Sequence, residues 1–121
     1  MNIGLKDREA VYLYGLSKIA KERPREATHL LSKIFDKGKL EARLAAFRTA
    51  LFSASIGDGK LLGDFFVRLM AGATEEERKE MIEPFIEILL QHSSKPTDPI
   101  VKRKIAWLYA FYHGWKEERV S

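Results

Sequence analysis

The chain contains no cysteine in its 121 residues. Disulfides, thiolate metal sites and cysteine nucleophiles are therefore excluded, and a reducing compartment is the natural setting. No stretch approaches the roughly eighteen uncharged apolar residues that a membrane-spanning helix needs. The opening residues, Met1 to Asp7, carry no long apolar run behind a charge. No secretory signal is expected, which points to the cytoplasm. An alternating apolar–polar run of strand length is also missing, so a sheet is not expected. There is no sequence repeat and no low-complexity segment. The longest connection between periodic segments is about six residues, which leaves no room for a linker. One domain over residues 1–121 follows, large enough to bury roughly two-thirds of its unfolded surface without staples.

What is present reads as helices divided by clear punctuation. Asp7 can cap a first helix over residues 8–22, which holds the run Val11-Tyr12-Leu13-Tyr14. Pro24 ends it and suits the first turn of a second helix over residues 25–36. Gly38 is a natural helix stop. A third helix, residues 39–55, places Leu40, Leu44, Phe47 and Leu51 at helical spacing. Gly57-Asp58-Gly59 breaks the chain before a fourth helix, residues 60–71, and Gly72 closes that one. Thr74 with Glu77 forms a capping box for a fifth helix reaching residue 91. Pro84 inside it should kink or split it. Residues 92–97 read as a loop. Asp98-Pro99 then caps and starts a last helix to about residue 119. The expected fold is an all-α bundle of five to seven helices.

Charge is unevenly spread. The net charge is +4 and the pI about 9.4. Residues 25–60 hold seven bases against four acids, whereas residues 74–87 hold six acids against two bases. The asymmetry suggests a positive and a negative face, and so a nucleic-acid or acidic-protein partner. An ordinary solvated surface explains it equally well. Abundant Lys, Arg and Glu without Cys also suits a thermophilic source.

The basic residues offer a more specific pattern. Lys33 and Lys37 are four apart on the second helix, and Lys39 and Arg43 bear the same relation on the third. The break at Gly38 should bring both pairs to one corner. Arg48 lies on another stripe, Lys60 opens the fourth helix, and Lys102-Arg103-Lys104 opens the last. Flexible cations along a groove would neutralise backbone phosphates. Ser53 and Ser55 could add neutral contacts. No base-reading motif is present, so binding should be largely independent of sequence.

The last helix carries Ile105-Ala106-Trp107-Leu108-Tyr109-Ala110-Phe111-Tyr112, then His113-Gly114-Trp115-Lys116. Its centre is apolar all round, so it must either cross the bundle or dock on a partner. Three consecutive cations argue that its start is exposed. Trp115, near the end with few intrachain neighbours, and Tyr112 are expected at a subunit interface. Ile105 and Leu108 are expected in the core. The aromatic residues could stack bases, although helical spacing favours core packing.

No catalytic arrangement stands out, and the chain is expected to be non-catalytic, with no cofactor and no metal. Gly57-Asp58-Gly59-Lys60 faintly resembles a phosphate loop, but a Walker A motif has a longer loop and a Ser or Thr after the Lys, where Leu61 stands here. An inter-helix turn explains it, with incidental phosphate contact from Lys60. His113 and Glu117 are four apart, but no third metal ligand lies near them in sequence. His29, beside Leu30 and Leu31, is expected to pack near the core, and His92 to meet terminal carbonyls at a helix end. Glu75, Glu76, Glu77 and Glu80 are sufficiently explained by a helix N-terminus.

A small, cysteine-free, basic, all-helical chain resembles the small subunits of CRISPR effector complexes. The ending Trp107-Leu108-Tyr109-Ala110-Phe111-Tyr112-His113-Gly114 is also similar to the aromatic GYYH ending of the related C-terminal helical domain in some large subunits of type I complexes. The glycine precedes the tyrosines there and follows them here. The likeness covers about eight residues and the general character of the chain. It implies a non-catalytic subunit that packs against neighbouring subunits, copies of itself included, and guides the nucleic-acid strands of an R-loop along its basic face. The alternative is a helical adaptor, or a DNA-binding regulator, that oligomerises through its last helix.

Overall fold

Pro24 opens helix α1 (Pro24–Lys37) at its first position, where the missing N–H of proline costs nothing. Helix α2 (Leu40–Phe52) follows after two residues, and α3 (Gly59–Gly72) comes next. Helix α4 starts as Glu75–Glu77, widens into a π-helical turn at Arg78–Ile82 and continues as Glu83–His92. Helix α5 (Pro99–Val120) ends the fold. The computed structural model describes residues 15, 16, 18–56, 59–92 and 98–120, without the side chains of 92, 119 and 120. Among these residues the fold is an all-α bundle of five helices with no strand. The Asp7 cap, most of the first expected helix, Gly57-Asp58, the imidazole of His92 and the 93–97 loop lie outside the described residues.

Local signals place the helix ends. The Thr74 hydroxyl accepts from Glu77 N–H at 3.0 Å, and Glu77 Oε1 accepts from Thr74 N–H at 2.9 Å, completing the capping box. Asp98 Oδ1 accepts from Ile100 N–H at 2.8 Å and caps α5. Gly38 ends α1, but with φ −83° and ψ 156°, an extended conformation open to any residue. Space makes glycine necessary there. An added Cβ would stand 2.6 Å from both Ala42 Cβ and the Ile34 carbonyl oxygen.

Pro84 divides α4 into two α-helical stretches joined by a π-helical turn, in keeping with the split expected at this proline, without ending the helix. Its ring would crowd the carbonyl four residues earlier, and it has no N–H to complete that turn. The helix answers with the wide turn just before it, in which Glu83 N–H bonds to Arg78 O. Helix α2 ends at Phe52, three residues short of expectation. The Ser53 hydroxyl accepts from the N–H groups of Ser55 and Ile56 at 3.1 and 3.0 Å, which turns the chain away.

All five helices contribute to one core. Leu31 and Phe35 of α1, Phe47 and Leu51 of α2, Leu62, Phe65 and Leu69 of α3, Ile82 and Ile86 of α4, and Leu108 of α5 are buried. Leu16 and Ala20, ahead of α1, join them. Phe35 and Phe65 stack with centroids 4.2 Å apart and planes 5° from parallel. Each such side chain contributes roughly 1.5–3 kcal/mol by leaving water.

Helices α3 and α5 run side by side in the same direction. Gly63 lies against the Trp107 indole, where an added Cβ would stand 3.1 Å from Cζ2. One turn on, Phe66 meets Phe111 edge-on at 4.9 Å and Trp115 at 6.5 Å. No described helix is long and apolar enough to cross a membrane.

Candidate nucleic-acid interface

The exposed face of α1 carries Arg25, His29, Lys33 and Lys37 at four-residue steps, all exposed. Each step advances about 6 Å along the helix, so the four side chains form a gently winding ridge. Arg25 and His29 were not among the expected binding residues, although the four-residue spacing was visible in the sequence. His29 faces solvent instead of packing near the core, because Leu31 and Phe35 define the buried stripe and residue 29 falls outside it. The ridge is bordered by acids: Glu26 pairs with Arg23 at 3.5 Å, and Asp36 accepts from Arg68. Arg68 also meets Asp64 at 3.4 Å, and the bond to Asp36 is the main reason its guanidinium holds its proton more tightly than usual.

The ridge ends at the Gly38 corner. Lys39 and Arg43 line one cleft there, of about 140 Å³, together with Gly38, Leu40 and Gly72. Lys39 occupies the N-cap position of α2 without a side-chain capping bond. The first N–H groups of α2 thus lack a side-chain acceptor at the end where the helix dipole is positive. Glu77 also lines the cleft, with one carboxylate oxygen held by the capping box.

Arg43 is only partly available. Its Nε donates to Gly38 O at 3.2 Å, and its guanidinium lies 5.2 Å from the centroid of Phe35. Arg48 is exposed, with its guanidinium 5.6 Å from the Phe52 ring.

The remaining expected bases lie elsewhere. Lys60, Lys102 and Arg103 are exposed near the starts of α3 and α5. Lys104 docks this end of α5 onto the far end of α2. Helix α2 has 13 residues, so the two basic groups are separated by about 20 Å along it. The structure does not gather the expected bases into one face.

Lys104 is not a surface cation. It is 5% exposed, and its Nζ donates to the carbonyls of Ala50, Ser53 and Ile56 at 2.8, 2.8 and 2.9 Å. Helix ends leave carbonyls unpaired, and this ammonium takes three at the end of α2. The expectation that all three cations would be exposed overlooked an acceptor set of this kind. Arg78 plays a similar part for α3. Its Nη1 donates to Met70 O at 3.1 Å and Ala73 O at 2.7 Å.

Tyr112 belongs to the core, not to a subunit interface. It is 1% exposed, and its hydroxyl donates to Glu87 at 2.9 Å. Burial first, then this bond and the nearby carboxylates, pushes its phenol well above the usual range. The buried line of α5 is Val101, Lys104, Leu108 and Tyr112. Ile105, Trp107 and Trp115 pack partly against the core. Helix α5 is therefore a one-sided surface helix, with Tyr109 (58% exposed) and Phe111 (40%) turned outward. Tyr109 touches the exposed His113, with ring centroids 4.3 Å apart.

Among the described residues, no group of three or more metal-ligating side chains gathers. No protein-family model, curated protein or solved structure matches this chain.

Proposed function

We propose that the chain is a non-catalytic subunit that holds nucleic acid by its phosphate backbone. The resemblance of its ending and general character suggests the small subunit of a CRISPR effector complex. One observation carries the binding reading: the Arg25–His29–Lys33–Lys37 ridge leads into the cleft shared by Lys39 and Arg43. Steps of about 6 Å along the ridge are close to the phosphate spacing of an extended strand. Phosphates laid along it would release counterions at each contact, and one seated in the cleft would meet the open end of α2. Lys60, Lys102 and Arg103 form a second basic group that a longer strand could reach.

The test is a salt titration of binding to homopolymeric single strands and to duplex DNA. Replacing Lys33, Lys37 and Lys39 together by Ala should weaken binding for every base composition. It should also lower the salt slope by roughly 0.7 per lost contact on a single strand. Binding that is insensitive to salt, or unchanged in the triple variant, would end this reading.

A further inference from the structure

Helix α5 presents a stripe of exposed residues, Lys102, Ala106, Tyr109 and His113. Their spacing of four, three and four residues keeps them on one side of the helix. A step of two residues turns about 200° round a helix, so Tyr109 points away from Trp107 and Phe111, which meet α3.

Tyr109 is 58% exposed, more than any other large hydrophobic side chain among the described residues. Exposure alone would say little. The way the ring is held says more. The His113 imidazole lies against it, with centroids 4.3 Å apart and planes tilted by 50°. His113 in turn meets the buried Tyr112 ring edge-on at 5.6 Å. The exposed phenol is thus braced through His113 against the core.

The other side of the phenol is open. Side chains on a helix lean towards its N-terminus, so His113 reaches back to Tyr109, and Tyr109 reaches back over the turn that holds Ile105 and Ala106. Ile105 packs against the core and Ala106 ends at its Cβ, so neither rises beside the ring. Among the described residues Tyr109 touches no ring but that of His113, and its hydroxyl has no hydrogen-bond partner.

Lys102 brings a cation to the same stripe, with no partner for its ammonium among the described residues. It lies seven residues before Tyr109, about 10 Å along the axis, which is less than two nucleotide steps of an extended strand. The acids stand outside this stretch: Asp98 caps the helix one turn before Lys102, and Glu117 lies one turn past His113. No aliphatic side chain longer than alanine stands on the stripe, so an apolar protein helix would find little to pack against.

We infer that Tyr109 is a stacking platform for a base of single-stranded nucleic acid, with His113 bracing the ring and Lys102 meeting a neighbouring phosphate. Every base has a face that stacks on an aromatic ring, so the platform accepts any sequence. A duplex keeps its bases stacked on one another, so the platform selects single strands. The inference rests on the proposed nucleic-acid binding and adds to it a contact with bases that the α1 ridge does not make.

The affinities of the full chain for a strand of thymidines, and for an abasic strand of the same length and charge, test it. The base-bearing strand should bind roughly tenfold more tightly. Tyr109→Ala should remove that difference while keeping the parent's circular dichroism, abasic affinity and salt slope. Tyr109→Phe, which keeps the ring, should bind as the parent does. Lys102→Ala should lower the salt slope by roughly 0.7 and keep the preference for bases. Equal affinity of the parent for the two strands, or a preference that survives Tyr109→Ala, would overturn the inference, leave binding by the ridge intact and give this face to a protein partner. Absence of salt-dependent binding to either strand would instead end the nucleic-acid reading, and the platform with it.

Discussion

Lys104 reaches from α5 to the end of α2 and donates to the Ala50 carbonyl at 2.8 Å, across 54 positions of sequence. With the carbonyls of Ser53 and Ile56 it forms a clamp that ties the start of α5 to the end of α2. Lys104→Met keeps the aliphatic stem and removes the ammonium, leaving buried acceptors without a donor. The expected loss is roughly 2–6 kcal/mol, at about 1–3 kcal/mol for each of the two buried carbonyls, those of Ala50 and Ile56. Urea unfolding measures it, and a loss below about 1 kcal/mol would show that water replaces the ammonium freely.

Gly38→Ala tests the close approach of α1 and α2. The new methyl would overlap both Ala42 Cβ and the Ile34 carbonyl oxygen, and backbone cannot yield as a side-chain tip can. A cost of about 1–3 kcal/mol is expected, visible as a lower melting temperature. A stabilised variant would mean that the corner opens without penalty, since alanine otherwise gains from a less flexible unfolded chain.

Tyr112 gives stability an alkaline limit. Burial and the Glu87 contact raise the phenol's pKa in the folded state. Above about pH 10 the unfolded chain releases a proton that the folded chain still holds, so stability falls as pH rises through that window. Below it the contribution is fully present. Tyr112→Phe should be less stable near neutral pH, and its stability should fall less steeply above pH 10 than the parent's. Parallel pH profiles would contradict the assignment.

Trp115→Ala and Leu108→Ala should both destabilise the isolated chain. Leu108 is fully buried, and truncation should cost roughly 2–5 kcal/mol. Trp115 is half-buried, with ring contacts to Phe66 and Tyr112 at 6.5 and 6.3 Å, and should cost less than that. A purely interfacial Trp115 would leave the monomer's denaturation midpoint unmoved.

Arg43→Ala is not a neutral probe of nucleic-acid binding. The side chain also holds Gly38 O and covers Phe35, so about 1 kcal/mol of stability should go with it. Lys39→Ala should leave the melting temperature nearly unchanged, which makes it the cleaner test of the cleft.

Sequence alone determined the helical class and most helix boundaries, because their causes are local. The Thr74–Glu77 box, the Asp98 cap and Pro24 at the first helical position all act within one turn of chain. The apolar spacing of Leu44, Phe47 and Leu51 likewise marks a buried face without reference to other helices. The corner at Gly38, with Lys37 and Lys39 on either side, was legible for the same reason.

Tertiary structure decided the fate of individual polar and aromatic groups. Lys104 reads as one of three surface cations until the end of α2, some fifty residues away, supplies three carbonyls. Tyr112 reads as an interface anchor until α4 brings Glu87 to its hydroxyl. Trp107 and Phe111 find their places only when α3 lies parallel to α5 and sets Gly63 and Phe66 against them. Periodicity reports which residues share a face of one helix. Which face meets a neighbour, and what that neighbour offers to a buried charge, depends on packing between segments far apart in the chain.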